Sequence, residues 1–190
     1  MKRRFALGAF LALGLAFTSL HQAKADDAAK LDPQNTIYLD IKDGRVVIKL
    51  RPDLAPLHVA RIKQLVHEHF YDGLVFHRVI DGFMAQTGDP TGTGEGGSKY
   101  GNVKAEFSDS AHFLRGTVGA ARTPDDPDSA NSQFFIMFAP NTHLDGQYTI
   151  WGQVVSGMEF VDKIKRGDGD SGMVTQPDHI IKMQLAADAK

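Results

Sequence analysis

The stretch FHRVIDGFMAQTGDP, residues 76–90, holds two short apolar runs separated by a glycine turn, with an arginine inside the first run. Because side chains alternate between the two faces of a strand, Arg78 shares a face with Phe76 and Ile80. A guanidinium among apolar side chains is costly unless it is paired or opens into a cleft. The alternative is an arginine at the mouth of the structure whose stem covers apolar residues while its charge reaches water. The stretch therefore predicts two strands, with a cleft or a mouth beside Arg78.

Short apolar runs bounded by turns recur along the rest of the chain, and two amphipathic segments lie between them. The runs are TIYLDI (36–41), RVVIKL (45–50), LVFHRVI (74–80), FMAQTG (83–88), GTVGAA (116–121), QFFIMF (133–138), TIWGQVV (149–155) and DHIIKMQL (178–185). One helix is predicted within residues 52–70, starting near Pro56. A second is predicted over residues 156–166, where Ser156 and Glu159 have the spacing of a capping box. Regular short strands favour a sandwich or barrel, and closure removes exposed edges. We predict a mainly β fold, a closed eight-stranded antiparallel β-barrel capped by two α-helices.

A second polar position lies in the run SANSQFFIMF, residues 129–138. By alternation, Gln133 and Phe135 share one face of this strand, and their neighbours occupy the other. A buried glutamine needs hydrogen-bond partners, and a cleft would supply them. In the stretch 76–90, Gln86 is likewise a polar residue close to two large apolar residues, Phe83 and Met84. The pattern predicts a groove with an arginine, glutamines and large apolar side chains, which can bind an apolar ring beside a peptide and direct a cationic donor at it.

Several other chemistries are excluded or disfavoured by the sequence. His67-Glu68-His69 lacks the spacing of a metal-binding helix, DDPD (125–128) lacks the spacing of a calcium loop, and there is no nucleophile elbow or Walker loop. GTGEGG (92–97) matches G-x-G-x-x-G, but no strand precedes it and no helix follows it. We therefore expect no metal, no cofactor and no bound nucleotide. The glycines are interpreted as one wall of the groove, where a substrate backbone passes close by.

The first 25 residues have the layout of a secretory signal peptide. A basic start is followed by the uncharged run FALGAFLALGLAF (5–17) and by the small-x-small site Ala23-Lys24-Ala25. The run is too short for a membrane span of roughly 20 residues, although an uncleaved anchor is the alternative. We predict cleavage after Ala25, a short extension over residues 26–35, one domain over residues 36–187, and a periplasmic location without stable membrane association.

Composition narrows the partners further. Removing residues 1–25 leaves 17 basic and 23 acidic residues, a net charge of −6, which argues against nucleic acid as a partner. The chain has no cysteine, so thiol chemistry is excluded and the fold relies on packing rather than disulfides. Since no heptad or long amphipathic surface is visible, we expect a monomer.

The motifs FHRVIDGFMAQTGDPTGTGEGG, SQFFI and LDGQYTIWGQVVSGM, with the helix APLHVARIKQLV, resemble those of the cyclophilin family of peptidyl-prolyl cis–trans isomerases. The similarity is greatest to exported bacterial members and extends from about residue 36 to 185. It implies an eight-stranded barrel with two helices, proline-containing polypeptides as substrates, and Arg78 as the catalytic residue. The substrate-binding residues that it implies are Phe83, Met84, Gln86, Gly92, Ala121, the backbone of Arg122, Gln133, Phe135, His143, Leu144 and Tyr148.

Two of these positions depart from the best-known eukaryotic pattern. His143 stands where that pattern has tryptophan, and Tyr148 stands where it has histidine. Loss of the indole removes a large flat wall and its N–H, so we expect weak binding of cyclosporin. Isomerisation is expected to persist because the Arg–Phe–Met–Gln set is complete.

One alternative function remains open on the same fold: a proline-peptide binding module, or holdase, with incidental turnover. Two further residues are assigned to packing. His77, which by alternation faces away from Arg78, is expected to be a packed, hydrogen-bonded histidine, and Trp151 a core residue.

Overall fold

The computed structural model describes residues 31–190, so the predicted signal peptide lies outside the described residues. Eight strands are present: β1 (Thr36–Ile41), β2 (Gly44–Leu50), β3 (Arg78–Ile80), β4 (Met84–Thr87), β5 (Thr117–Ala120), β6 (Phe134–Met137), β7 (Ile150–Ser156) and β8 (Ile180–Leu185). All neighbouring strands are antiparallel, in the order β3-β4-β6-β5-β7-β2-β1-β8. The eight predicted runs are thus confirmed as strands, most of them shorter than predicted.

The sheet is curled, but its strand ladder is open. Strands β3 and β8 are the two edges. The segment before β3 meets residues 178–180 through a bridge between Val75 and His179 and through backbone hydrogen bonds of Gly73 and Leu74 with Ile180, both 2.8 Å. The Phe76 amide also donates to the Asp178 carbonyl at 2.9 Å. The eight-stranded antiparallel curl agrees with the prediction, whereas full closure is not confirmed. Because only residues 78–80 of the run 74–80 have strand geometry, little of β3 is available to pair with β8.

Helix α1 spans Pro56–His67 and agrees with the predicted segment. Its buried side chains include Val59, Ile62 and Leu65, which lie on the sheet as the spacing indicated. The N-terminus is capped from a distance, since the amides of Leu57 and His58 donate to the Glu106 carboxylate at 2.9 and 3.0 Å. Within residues 31–190, no helix is long and apolar enough to cross a membrane.

The second helix differs from its prediction. Helix α2 spans only Met158–Val161 and begins after Gly157, while Ser156 ends β7. No side chain caps this helix, so the predicted capping box is wrong. Gly157 has φ +87°, and a Cβ there would lie 2.4 Å from the Arg45 carbonyl oxygen of β2. The chain turns here in a left-handed conformation against a neighbouring strand, which makes glycine rather than a capping side chain the requirement.

The alternation of side chains divides strands β4 and β6 between two apolar clusters. Ala85, Phe134 and Ile136 belong to the main core inside the curl, where Trp151 is also fully buried as predicted. Met84 and Phe135 belong to a second cluster on the other face. The second cluster lies on the face that carries the candidate site.

Candidate active site

A row of hydrogen-bonded polar side chains crosses the edge of the sheet on this second face. Arg78 lies opposite Gln86 in the β3–β4 register. The guanidinium of Arg78 donates through Nη1 to Gln86 Oε1 at 3.3 Å, and Gln86 Nε2 donates to Gln133 Oε1 at 2.9 Å. Alternation was applied to Arg78 and to Gln133 in their separate strands, and the structure brings both residues together with Gln86 on one face.

The Arg78 side chain is held by neutral oxygen acceptors. Besides its contact with Gln86, Nε donates to the Ser171 carbonyl at 3.0 Å. The segment containing Ser171 is fixed along β3, because the Val79 amide donates to the Gly172 carbonyl at 2.7 Å. Among residues 31–190, no carboxylate forms a salt bridge with Arg78. Its positive charge is thus oriented without being neutralised, and N–H groups remain available to a ligand.

An apolar cavity of about 180 Å³ lies beside the guanidinium. Nine of the twelve predicted site residues line it: Arg78, Phe83, Met84, Gln86, Ala121, Arg122, Phe135, Leu144 and Tyr148. The Phe135 ring is 5 % exposed and meets the Tyr148 ring edge-on, with 5.9 Å between centroids. The side chains of this cavity include no Ser, Thr, Asp, Glu or His, so the lining offers a cation and amides but no general base and no hydroxyl nucleophile other than the Tyr148 phenol.

A larger cavity of about 530 Å³ adjoins the first one and shares Gln86, Ala121 and Arg122 with it. Gln133 and residues 94–98 of the glycine-rich loop line its walls. The Arg122 guanidinium lies over the Tyr148 ring at 4.5 Å and donates to the Gln147 carbonyl at 3.1 Å. The side chain of Arg122 is thereby folded onto its neighbours, and Arg122 lines both cavities.

The glycine-rich loop encloses a carboxylate of the protein itself. Asp89 is 1 % exposed and accepts hydrogen bonds from the amides of Thr91, Thr93 and Gly94 at 2.7, 3.0 and 2.6 Å. Burial alone would raise the pKa of Asp89, but these hydrogen bonds outweigh it and lower the pKa to about 2. A Cβ on Gly96 would lie 2.1 Å from Asp89 Oδ1. The loop that resembles a phosphate cradle therefore binds an anion, and that anion is Asp89.

Two predicted site residues do not reach either cavity. Gly92 has φ +69°, and a Cβ there would face Val75 at 3.2 Å. His143 is exposed on a short 3₁₀ turn, Thr142–Leu144, and only its neighbour Leu144 lines the apolar cavity. His77 is buried as predicted, but neither of its ring nitrogens has a hydrogen-bond partner among the described residues. Burial lowers the pKa of His77, although the charge of Asp89 opposes this change.

Three contributors to the site were not predicted from the sequence. Phe113 is fully buried and stacks on Phe135 with 5.7 Å between centroids, so it supports the cavity from below. Ser171 contributes only a backbone carbonyl. Asp89 stands in the first quoted stretch, and an aspartate before a glycine-rich turn is a signal for backbone hydrogen bonding that the sequence prediction did not use.

The chain is similar to known proteins in both sequence and structure. Residues 36–185 match the family described as "Cyclophilin type peptidyl-prolyl cis-trans isomerase/CLD". A probable peptidyl-prolyl cis-trans isomerase of Brucella suis is 52 % identical over 187 residues, covering 92 % of this chain and 94 % of the relative. A cyclophilin crystal structure from Hirschia baltica superposes with a TM-score of 0.75 at 27 % identity, covering 84 % of this chain and 77 % of the other. A cyclophilin-type isomerase from Cryptosporidium parvum, crystallised in the presence of the dipeptide Ala-Pro, gives a TM-score of 0.72 at 27 % identity, covering 79 % and 98 %.

Proposed function

The chain belongs to the cyclophilin-type peptidyl-prolyl cis-trans isomerases, and we propose that it accelerates rotation about Xaa-Pro bonds by directing Arg78 at a prolyl ring held in the apolar cavity. The observation that carries this assignment is the position of an unneutralised guanidinium at the wall of a cavity lined by Phe83, Met84 and Phe135. A proline offers such a site an apolar ring and, next to it, the one peptide nitrogen that bears no proton.

The chemistry requires no bond to be broken. Amide resonance sets a barrier of about 18–20 kcal/mol, and uncatalysed exchange takes tens to hundreds of seconds. In the twisted transition state the imide nitrogen loses conjugation and becomes a hydrogen-bond acceptor. A donor fixed in advance favours that state over both planar ground states, and each ~1.4 kcal/mol of differential stabilisation gives tenfold in rate. Arg78 supplies this donor, and Ser171 and Gln86 hold it in place.

The larger cavity accommodates the polypeptide that flanks the proline. It meets the apolar cavity at Ala121 and Arg122, so a chain can pass from one cavity to the other beside these two residues. Its rim carries both Glu95 and Arg122, which present charges of opposite sign. A mixed rim of this kind suits substrates of varied sequence, as expected for an enzyme acting on unfolded or folding chains.

The substrates that we propose are exported proteins folding in the periplasm. The support is the basic, apolar and small-residue pattern of residues 1–25, which includes no acidic residue. We expect protein recovered from the periplasm of cells expressing the full chain to begin at Asp26, as measured by N-terminal sequencing. An intact N-terminus in the cytoplasmic fraction would overturn this part of the proposal and leave the isomerase assignment unaffected.

Cyclosporin is expected to inhibit this protein weakly. His143 is exposed on its turn and lines neither cavity, so no flat indole wall borders the Leu144 side of the site. The measurement is a cyclosporin titration of isomerase activity. His143→Trp, which restores the indole, is expected to strengthen inhibition by at least about tenfold. Strong inhibition of the unmodified protein at a stoichiometric amount of drug would contradict the expectation.

The alternative function on the same fold is a holdase, which binds proline-containing chains without accelerating isomerisation. An activity assay distinguishes the two functions. The assay couples a short Xaa-Pro peptide to a protease that cleaves only its trans form, so the slow phase reports isomerisation. We expect catalytic amounts of the protein to accelerate the slow phase. A pure binder would leave this phase unchanged even at concentrations at which it binds the peptide.

A further inference from the structure

Asp89 is an unusual residue because it is a buried carboxylate with no cationic partner. Its oxygens are satisfied almost entirely by the loop that follows it, through the amides of Thr91, Thr93 and Gly94 and the Thr91 hydroxyl at 2.8 Å. Among the described residues, no salt bridge reaches it. Glycines with positive φ, Gly92 at +69° and Gly94 at +93°, allow the chain to curve around the carboxylate. The conformation of residues 91–96 therefore depends on one negative charge.

The same loop forms hydrogen bonds with Gln133, the last residue of the polar row Arg78–Gln86–Gln133. Gln133 Nε2 donates to the carbonyls of Gly94 and Gly96 at 2.9 and 2.8 Å, which uses both of its protons. Its Oε1 must then face Gln86, whose Nε2 donates to it at 2.9 Å. With Nε2 engaged, Gln86 Oε1 faces Arg78. An amide can rotate by 180° and exchange its donor and acceptor ends, and here the two loop carbonyls select one orientation for both glutamines.

We propose that Asp89 is a positioning residue for catalysis, which acts on Arg78 through the glycine-rich loop, Gln133 and Gln86. This inference rests on the proposed role of Arg78. Without the carboxylate, the amides of Thr93 and Gly94 lose their acceptor, and the carbonyls of Gly94 and Gly96 lose their fixed direction. Both glutamines then become free to rotate, and an inverted Gln86 would present its NH₂ to the guanidinium instead of an acceptor. Arg78 would keep its charge and its contact with Ser171 but lose one of its two restraints.

The direct test is Asp89→Asn, which preserves the shape of the side chain. One asparagine oxygen can still accept from Thr91, but its NH₂ meets the amide donors of Thr93 and Gly94. We expect kcat/KM for a short Xaa-Pro peptide to fall about tenfold, since small displacements of a positioned group have effects of this size. The fall is expected in kcat, with peptide affinity changed less than about twofold, because the apolar side chains that would hold the prolyl ring, Phe83, Met84 and Phe135, are left in place.

A double-mutant cycle distinguishes positioning from general loosening. Gln133→Met keeps the side-chain length and removes the hydrogen bonds between the loop and Gln86. If Asp89 acts through Gln133, the double variant is no slower than the slower single variant, whereas independent effects would multiply. Side-chain ¹⁵N–¹H spectra give a readout that does not depend on activity. The NH₂ signals of Gln86 and Gln133 and the Nε–H signal of Arg78 are expected to shift in Asp89→Asn.

The matched control is Asp178→Asn, which also removes a carboxylate that accepts a backbone amide, from Lys165 at 2.8 Å, but just before β8, where Asp178 also pairs with Lys42. It is expected to lower stability without changing kcat/KM or the glutamine signals. Urea denaturation gives the folded fraction of each variant, so a loss of activity that only follows unfolding would overturn the proposal. If Asp89→Asn does not fold, Thr91→Val removes a single hydroxyl donor, and a roughly twofold loss of kcat with shifted Gln133 signals is expected.

Failure of this inference and failure of the proposed function are separable. Full activity and unmoved glutamine signals in Asp89→Asn, alongside a slow Arg78→Ala variant, would refute only the role of Asp89. Full activity in a folded Arg78→Ala variant would refute the role of Arg78 itself. It would also refute the proposed effect of Asp89 on catalysis, which depends on Arg78.

Discussion

Replacement of Arg78 by alanine is expected to lower kcat/KM for Xaa-Pro isomerisation by at least about tenfold, while the fold survives. The expected loss corresponds to one charge-assisted hydrogen bond made in the twisted state. Stability should change little, because Arg78 is only half-buried and lies at the wall of an open cavity that water can enter. The protease-coupled assay measures the rate, and urea denaturation confirms that the variant is folded.

Two further variants sharpen this prediction. Arg78→Lys keeps the charge but lacks the planar fork that contacts Gln86 and Ser171 together, so we expect it to remain well below the wild-type rate. Arg45→Ala removes a cation on β2 that pairs with Asp40 at 2.7 Å, and it should leave the rate unchanged. Wild-type activity in a folded Arg78→Ala variant would show that the cation at this position is not the catalyst.

Substitution of Gly157 by alanine is expected to destabilise the protein by about 3 kcal/mol. The residue has φ +87°, and its new Cβ would lie 2.4 Å from the Arg45 carbonyl oxygen and 2.9 Å from Val46 Cα. Left-handed strain and overpacking against backbone each contribute, and a strand cannot move aside as a flexible side chain does. The free energy of unfolding in urea measures the effect.

The matched control for Gly157→Ala is Ser156→Ala. The sequence predicts a capping serine here, and its loss would cost about 1 kcal/mol if the capping box existed. In the structure Ser156 is an exposed strand residue, so a change within about 0.5 kcal/mol is expected. A costly Ser156→Ala together with a neutral Gly157→Ala would mean that α2 begins as the sequence suggested, and that the turn onto β2 is wrong.

The Gly157 and Ser156 variants illustrate which features of the fold can be predicted from the sequence. Short apolar runs bounded by turns located all eight strands, and three- and four-residue spacing located α1, because these patterns report which residues are buried. The conformation at Gly157 is set by the close approach of β2, more than 100 residues earlier in the chain. The open edge between β3 and β8 was unpredictable for the same reason, since it depends on how the segment before Arg78 meets residues 178–180.

The candidate site could be predicted from the sequence to a similar extent. Alternation placed Gln133 and Phe135 on one face of their strand, and the resemblance to the family supplied the remaining cavity walls. Phe113 and the Ser171 carbonyl come from irregular segments without periodicity, so only the folded chain brings them to the site. The glycines of GTGEGG were interpreted as room for a substrate backbone. Gly94 and Gly96 do line the larger cavity, but the close approach that they permit is to Asp89.

The central claim is that this protein lowers the barrier to Xaa-Pro rotation rather than merely binding proline-containing chains. Exchange NMR on an Xaa-Pro peptide tests it most directly, because cis and trans signals are followed at equilibrium without a coupling protease. With the wild-type protein at about one-hundredth of the peptide concentration, we predict exchange cross-peaks between the two forms within about one second, against tens to hundreds of seconds without it. Signals that shift on binding but show no accelerated exchange, even at equimolar protein, would contradict the account.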